Sequence, residues 1–147
     1  MIRPERLTIK AQEAFRDAGE EARRRGNPVV NDAHLFAALL TQPEGVVQPL
    51  LQKAGLNVTA LTEEVEREIA RFPTQSGGGE PTFSRELNRV FDRAEQISRE
   101  LGDAYISVEH LLLALVEEKG TTARAVLSAH GVSPADLRTA LEGVRGS

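Results

Sequence analysis

The sequence predicts an all-α domain of eight helices, arranged as two four-helix repeats related by a pseudo-twofold axis. Three observations lead there. A shift of 76 positions superimposes residues 8–71 on residues 84–147 without a gap, and twelve of the 64 aligned pairs are identical. Apolar residues recur at intervals of three and four, which is one stripe of a helix. Ser, Thr and Asn stand just before those stripes and Gly just after them, where helix caps belong. No segment alternates as a strand would, beyond the short pieces Val29-Val30 and Tyr105-Ile106.

The first helix of the first repeat carries Leu7, Ala11, Ala14, Phe15, Ala18 and Ala22 on one face, with Thr8 as cap and a stop near Gly26. Its counterpart carries Leu87, Val90, Phe91, Ala94, Ile97 and Leu101, capped by Ser84 and stopped by Gly102. The second helices, Leu35–Leu40 and Leu111–Val116, are apolar nearly all round, which predicts burial on most sides. Asn31 and Ser107 are their caps. Third helices cover Val46–Lys53 and Thr122–His130 and end at Gly55 and Gly131. The fourth follow Asn57 and Ser133, where Ser133-Pro134 is a good N-cap and N1 pair.

Between the repeats, residues 72–83 hold Pro73, three consecutive glycines at 77–79 and Pro81, a linker composition. Each repeat of about 64 residues is too small for much core of its own, so both should pack as one domain over residues 1–147.

Composition narrows the function classes. There is no Cys, which removes disulfides, zinc-thiolate sites and cysteine nucleophiles. The net charge of −4 and six aromatic residues without Trp argue against a nucleic-acid footprint. No apolar run approaches a membrane span, and Met1 leads straight into Arg3, Glu5 and Arg6 instead of a signal peptide. A cytoplasmic protein is expected. No nucleotide-binding loop, GxSxG or HExxH motif occurs, so no catalytic residue and no metal site is expected.

His34 and His110 occupy matched positions three residues after their caps. A ring nitrogen there can bond back to the helix start, as Glu does in a capping box, and their neighbours on the helix cannot ligate a metal. The charged run Glu63, Glu64, Glu66 and Glu68 reads as a solvated face, and Arg23-Arg24-Arg25 as cations at the negative end of a helix dipole.

A duplicated scaffold keeps its packing in both copies, whereas a site needs only one, so departures from the repeat are informative. Asp103 aligns with Asn27 and Glu109 with Ala33. The second repeat therefore has an acidic pair around Tyr105 and Ile106 that the first lacks.

The chain resembles the Clp N-terminal, or double Clp repeat, domains, and is most similar to those of ClpB-type AAA+ disaggregase chaperones. The residues that carry the likeness are Arg6-Leu7-Thr8 with Lys10, Pro49-Leu50-Leu51 with Ala54-Gly55, Arg71-Phe72-Pro73, Leu101-Gly102-Asp103, Tyr105-Ile106-Ser107 and Glu109-His110-Leu111. The resemblance implies a stress-response, heat-shock function. Such a domain binds unfolded or aggregated polypeptide and delivers it to an ATP-driven threading ring, a hexamer. ATP and magnesium would belong to other modules of the parent protein, with no cofactor in this chain and a monomeric fragment. The alternative is docking of adaptor or co-chaperone proteins. Carried over by matching positions, Thr8, Asp103 and Glu109 are the expected polar contacts. Leu7, Phe91, Ile97, Tyr105 and Ile106 are the expected floor of an apolar groove between the first helix and the fifth-to-sixth helix corner. The related ClpC domains carry an acidic residue before the histidine in both repeats and bind phosphoarginine there. Ala33 removes half of that pattern.

Overall fold

The computed structural model describes residues 3–145. After a 3-10 turn at Pro4–Arg6 come α1 (Ile9–Arg24), β1 (Val29–Val30), α2 (Asp32–Thr41), α3 (Val47–Lys53) and α4 (Val58–Ile69). The second repeat holds β2 (Thr82–Phe83), α5 (Arg85–Glu100), α6 (Val108–Glu117), α7 (Thr122–Ala129) and α8 (Pro134–Arg145). The helix starts are set by local chemistry. Thr8, Asn57, Ser84 and Thr121 each accept a backbone N–H of their own first turn through the side chain. Gly26 and Gly102 close α1 and α5 at φ 74° and 73°, a left-handed backbone that glycine adopts without a Cβ clash.

Helices α2 and α6 form the centre. Eight of the ten residues in each are buried, as their nearly all-apolar circumference requires. One continuous apolar cluster spans both repeats. The packing across the repeats is reciprocal: α1 meets α6 as α5 meets α2, α2 meets α7 as α6 meets α3, and α4 meets α7 as α8 meets α3. Phe15 and Phe91, equivalent residues, touch edge to face with ring centres 6.3 Å apart.

The repeats also exchange short strands. Leu7 pairs with Ile106, while Val29-Val30 pairs in parallel with Thr82-Phe83. The Thr8 N–H donates to Ile106 O at 3.0 Å, and its equivalent, Ser84 N–H, donates to Val30 O at 3.0 Å. The residues before α1 and before α5 are thus each stitched to the loop of the opposite repeat. The segment 72–83 is consequently not a free tether. It ends in β2, Gln75 N–H donates to Gly26 O at 2.8 Å, and Asn27 Nδ2 donates to Pro73 O at 3.0 Å.

One buried carboxylate also crosses the repeats. Asp32, 3% exposed, accepts the Thr122 N–H of α7 at 2.8 Å, and burial pushes its carboxyl pKa upward. Val108 is its counterpart in the second repeat.

Candidate functional site

The start of α1, stitched to Ile106, meets the α5–α6 turn, and the end of α8 closes on that turn from a third side. Thr8 is half-buried. Its Oγ1 accepts the Ala11 N–H at 3.2 Å, so the hydroxyl serves as the α1 cap. Asp103 is held by two donor side chains. Arg145 grips it through Nη1 and Nη2, both at 2.9 Å, and His110 Nε2 donates to its Oδ2 at 2.8 Å. The Arg145 guanidinium, and after burial is offset the His110 ring, hold the Asp103 carboxyl down at about 2. Glu109 is half-buried in the first turn of α6. No hydrogen bond or ion pair reaches its side chain among the described residues.

His110 Nδ1 accepts the Ser107 N–H at 2.8 Å, closing the capping box expected of it. With Nδ1 an acceptor, the ring proton sits on Nε2 and points at Asp103. His34 repeats this arrangement: Nδ1 accepts the Asn31 N–H at 2.9 Å and Nε2 faces Asn27 Oδ1 at 2.9 Å.

Of the five residues expected to floor a groove, only Tyr105 is open to solvent, at 57% exposure. Leu7, Phe91, Ile97 and Ile106 are between 0 and 5% exposed and belong to the core. The reason is tertiary. Leu7 and Ile106 turn inward from their strand pairing, Phe91 is spent on Phe15, and Ile97 lies on the buried stripe of α5. The apolar surface that the corner does present comes from Tyr105, Ile9 at 74% exposure, Leu101 at 36% and Val144. Ile9 had a signal in the sequence: it is a lone large apolar residue off the buried face of α1. Arg145 had none, being 42 residues from its partner.

The five surface clefts described lie elsewhere, and none includes Thr8, Asp103 or Glu109. One of 230 Å3 occupies the matching corner of the first repeat, between Pro28-Val29 and Phe72-Pro73. The described residues hold no group of three His, Cys, Asp or Glu placed to bind a metal, and no helix long and apolar enough to cross a membrane. In the charged run of α4, Glu63, Glu66 and Glu68 are exposed as expected, whereas Glu64 is half-buried and bonded to His130 Nε2 of the second repeat at 2.8 Å. Arg24 and Arg25 are tied to Glu21, and Arg23 to Glu80.

A family model described as the Clp repeat (R) N-terminal domain matches residues 6–130. The chain belongs to that family. The Clp repeat domain described here is 38% identical over 141 residues to the chaperone protein ClpB of Mycobacterium tuberculosis, and 37% identical over 139 residues to that of Bacteroides thetaiotaomicron. In both cases 95% of this chain is covered but only 16% of the relative. The chain therefore spans about a sixth of the length of these ClpB relatives. Among solved structures, the Hsp104 N-terminal domain of Candida albicans matches with a TM-score of 0.84 at 25% identity, covering 96% of this chain and 92% of the other. A ClpV N-domain in complex with a VipB peptide shares the fold, with a TM-score of 0.75 at 23% identity, covering 95% of this chain and 86% of the other. The all-α double repeat and its kinship to ClpB N-terminal regions are thereby established.

Proposed function

We propose that this Clp repeat domain is the client-capturing domain of a ClpB-like disaggregase. In this reading it holds unfolded or aggregated polypeptide at the α1–α5–α6 corner and passes it to an ATP-driven threading ring in the cytoplasm. The observation that carries the reading is the exposure of Ile9 and Tyr105, at 74% and 57%, at the corner where Thr8 and Asp103 are held by hydrogen bonds. An unfolded chain offers apolar side chains and unpaired backbone groups. A corner with apolar flanks and a few oriented polar atoms suits it without demanding one sequence. Covering about 200–300 Å2 of apolar surface at about 25 cal/mol per Å2 yields on the order of 5–8 kcal/mol gross. Immobilising a flexible segment takes back much of that, so binding by one domain is weak, about micromolar or poorer. Several domains on one ring would raise it by multivalency. Thr8, Asp103 and Glu109 supply the polar contacts, and Tyr105, with Ile9 and Leu101, the apolar ones.

The test is an NMR titration of the domain with ribonuclease kept unfolded by reduction and carbamidomethylation. Shifts centred on Thr8, Ile9, Tyr105 and Glu109 are expected; a titration that leaves these signals unmoved overturns the reading. The second reading, docking of a folded adaptor, is favoured by the ClpV N-domain seen with a VipB peptide, a relative that shares the fold. Competition separates the two. Unfolded ribonuclease displaces any ligand of the client corner and does not displace an adaptor held elsewhere.

A further inference from the structure

Three differences between the second repeat and the first fall at one corner, and two of them touch. Asn27, Ala33 and Ile69 align with Asp103, Glu109 and Arg145. In the first repeat Ile69 is buried at 1% exposure, and the chain continues into Phe72 and Pro73, whose carbonyl holds Asn27. That socket is closed by packing, and Asn27 is 4% exposed. In the second repeat the equivalent closure is ionic. Arg145, in the last turn of α8, lies on Asp103 with two bonds of 2.9 Å, and Glu109 is near enough to favour its positive charge. The Arg145 and Asp103 side chains remain 32% and 26% exposed, so water and a competing ligand can reach the pair.

We propose that the last turn of α8 is a latch on the client corner: Arg145 occupies the carboxylate of Asp103, beside Glu109, and a client chain displaces it in order to use that carboxylate. This rests on the corner being the client site. Asp103 has both oxygens committed in the closed form, Oδ1 to Arg145 and Oδ2 to Arg145 and His110. A client group reaches that carboxylate only as the guanidinium leaves. The apparent affinity is then lowered by the fraction of molecules that are closed. Exposed ion pairs of this kind are weakly coupled, so the latch opens readily and tunes binding without abolishing it.

The experiment compares the wild-type chain with Arg145→Gln, Arg145→Lys and a control of equal charge change, Arg67→Gln on the solvated face of α4. The affinity for unfolded, carbamidomethylated ribonuclease is read by fluorescence anisotropy, and circular dichroism confirms that α8 is retained. Arg145→Gln is expected to bind about two- to fivefold more tightly, the factor that breaking an exposed ion pair sets. Arg145→Lys falls between, because it keeps the charge and loses the two-pronged grip. Arg67→Gln leaves affinity unchanged. Wild-type binding equal to that of Arg145→Gln overturns the latch and leaves the client site standing. An equal gain in Arg67→Gln overturns it too, by assigning the effect to net charge. Absence of binding in all four chains removes the client site, and the latch with it.

Discussion

His34 and His110 make the same bond to the backbone at the start of their helices, yet they stand on different floors. His34 is fully buried and its Nε2 faces the amide of Asn27. Burial, and next the nearby Arg25, push its pKa down to about 4, so the ring stays neutral. His110 is as deeply buried, but its Nε2 faces the carboxylate of Asp103, which also carries Arg145. Duplication has preserved the cap and varied the charge beneath it. The backbone bond needs only an acceptor at Nδ1, whereas the residue under Nε2 decides whether the socket is sealed or left reachable.

The largest expected effect lies in the sealed socket. A histidine whose folded pKa is depressed contributes stability above its unfolded value, about 6.5, and that contribution is lost as pH falls toward about 4. Two and a half pH units at about 1.4 kcal/mol each amount to about 3.5 kcal/mol. Urea unfolding midpoints at pH 7 and pH 4.5 should show this fall, and His34→Gln should flatten it. Asn27→Asp places the floor of the second socket under the first ring. The His34 ring should then titrate at higher pH by NMR; an unmoved titration breaks the idea that the floor sets the difference.

In the reachable socket the sign is the same and the origin differs: the charged form is favoured there, where burial favours the neutral one at His34. Asp103, held at about 2, stabilises the fold above its ordinary value near 3.8, and that contribution is lost as pH falls through about 2. The pair is a quarter exposed, so solvent screening reduces the effect to about 1 kcal/mol. Asp103→Asn should lower the unfolding free energy from urea titration by that amount at pH 7 and by much less near pH 2. A loss that persists at pH 2 would assign the residue to packing instead of charge.

The two stitches offer a smaller contrast. Ser84 is 8% exposed and caps α5 with a bond of 3.0 Å to Leu87 N–H, while half-buried Thr8 caps α1 at 3.2 Å. Ser84→Ala should cost about 1 kcal/mol and Thr8→Ala about half of that, read from thermal melts. The reverse order would mean that the Leu7–Ile106 stitch carries more than its burial suggests.

Much of this was legible in the sequence because helix caps are local. Thr8, Asn31, Asn57, Ser84 and Ser107 each mark a boundary to within a residue of where it falls, since the cap and its partner are three positions apart or fewer. The short pieces Val29-Val30 and Tyr105-Ile106 were visible as strand-like, but the partners with which the repeats exchange them were not. A two-residue strand has no periodicity, and Leu7 reads as the first residue of a helical stripe until Ile106 is seen beside it. The same limit governs the groove floor. Leu7, Phe91, Ile97 and Ile106 are apolar whether they line a cleft or fill a core, and only the packing of the opposite repeat decides. Asp103 and Glu109 were visible as departures from the repeat, but the partner of Asp103 was not, because Arg145 lies 42 residues away.

The smallest expected effect on stability is also the sharpest on function. Ile9 is the first residue of α1 and 74% exposed, and its counterpart at the start of α5 is Arg85. Ile9→Arg therefore gives the proposed client corner the residue that the other corner already has. Both are adequate helix formers and the side chain packs against little, so the cost should stay within about 0.5 kcal/mol. Affinity for an unfolded chain should nevertheless fall about tenfold, because a large apolar contact becomes a hydrated cation. Anisotropy titrations beside a thermal melt measure both quantities on one sample. If affinity holds while Ile9 is gone, exposed apolar surface at this corner is not what takes up the client. The difference between the two ends of the molecule would then have to rest on Asp103, Glu109 and Arg145 alone.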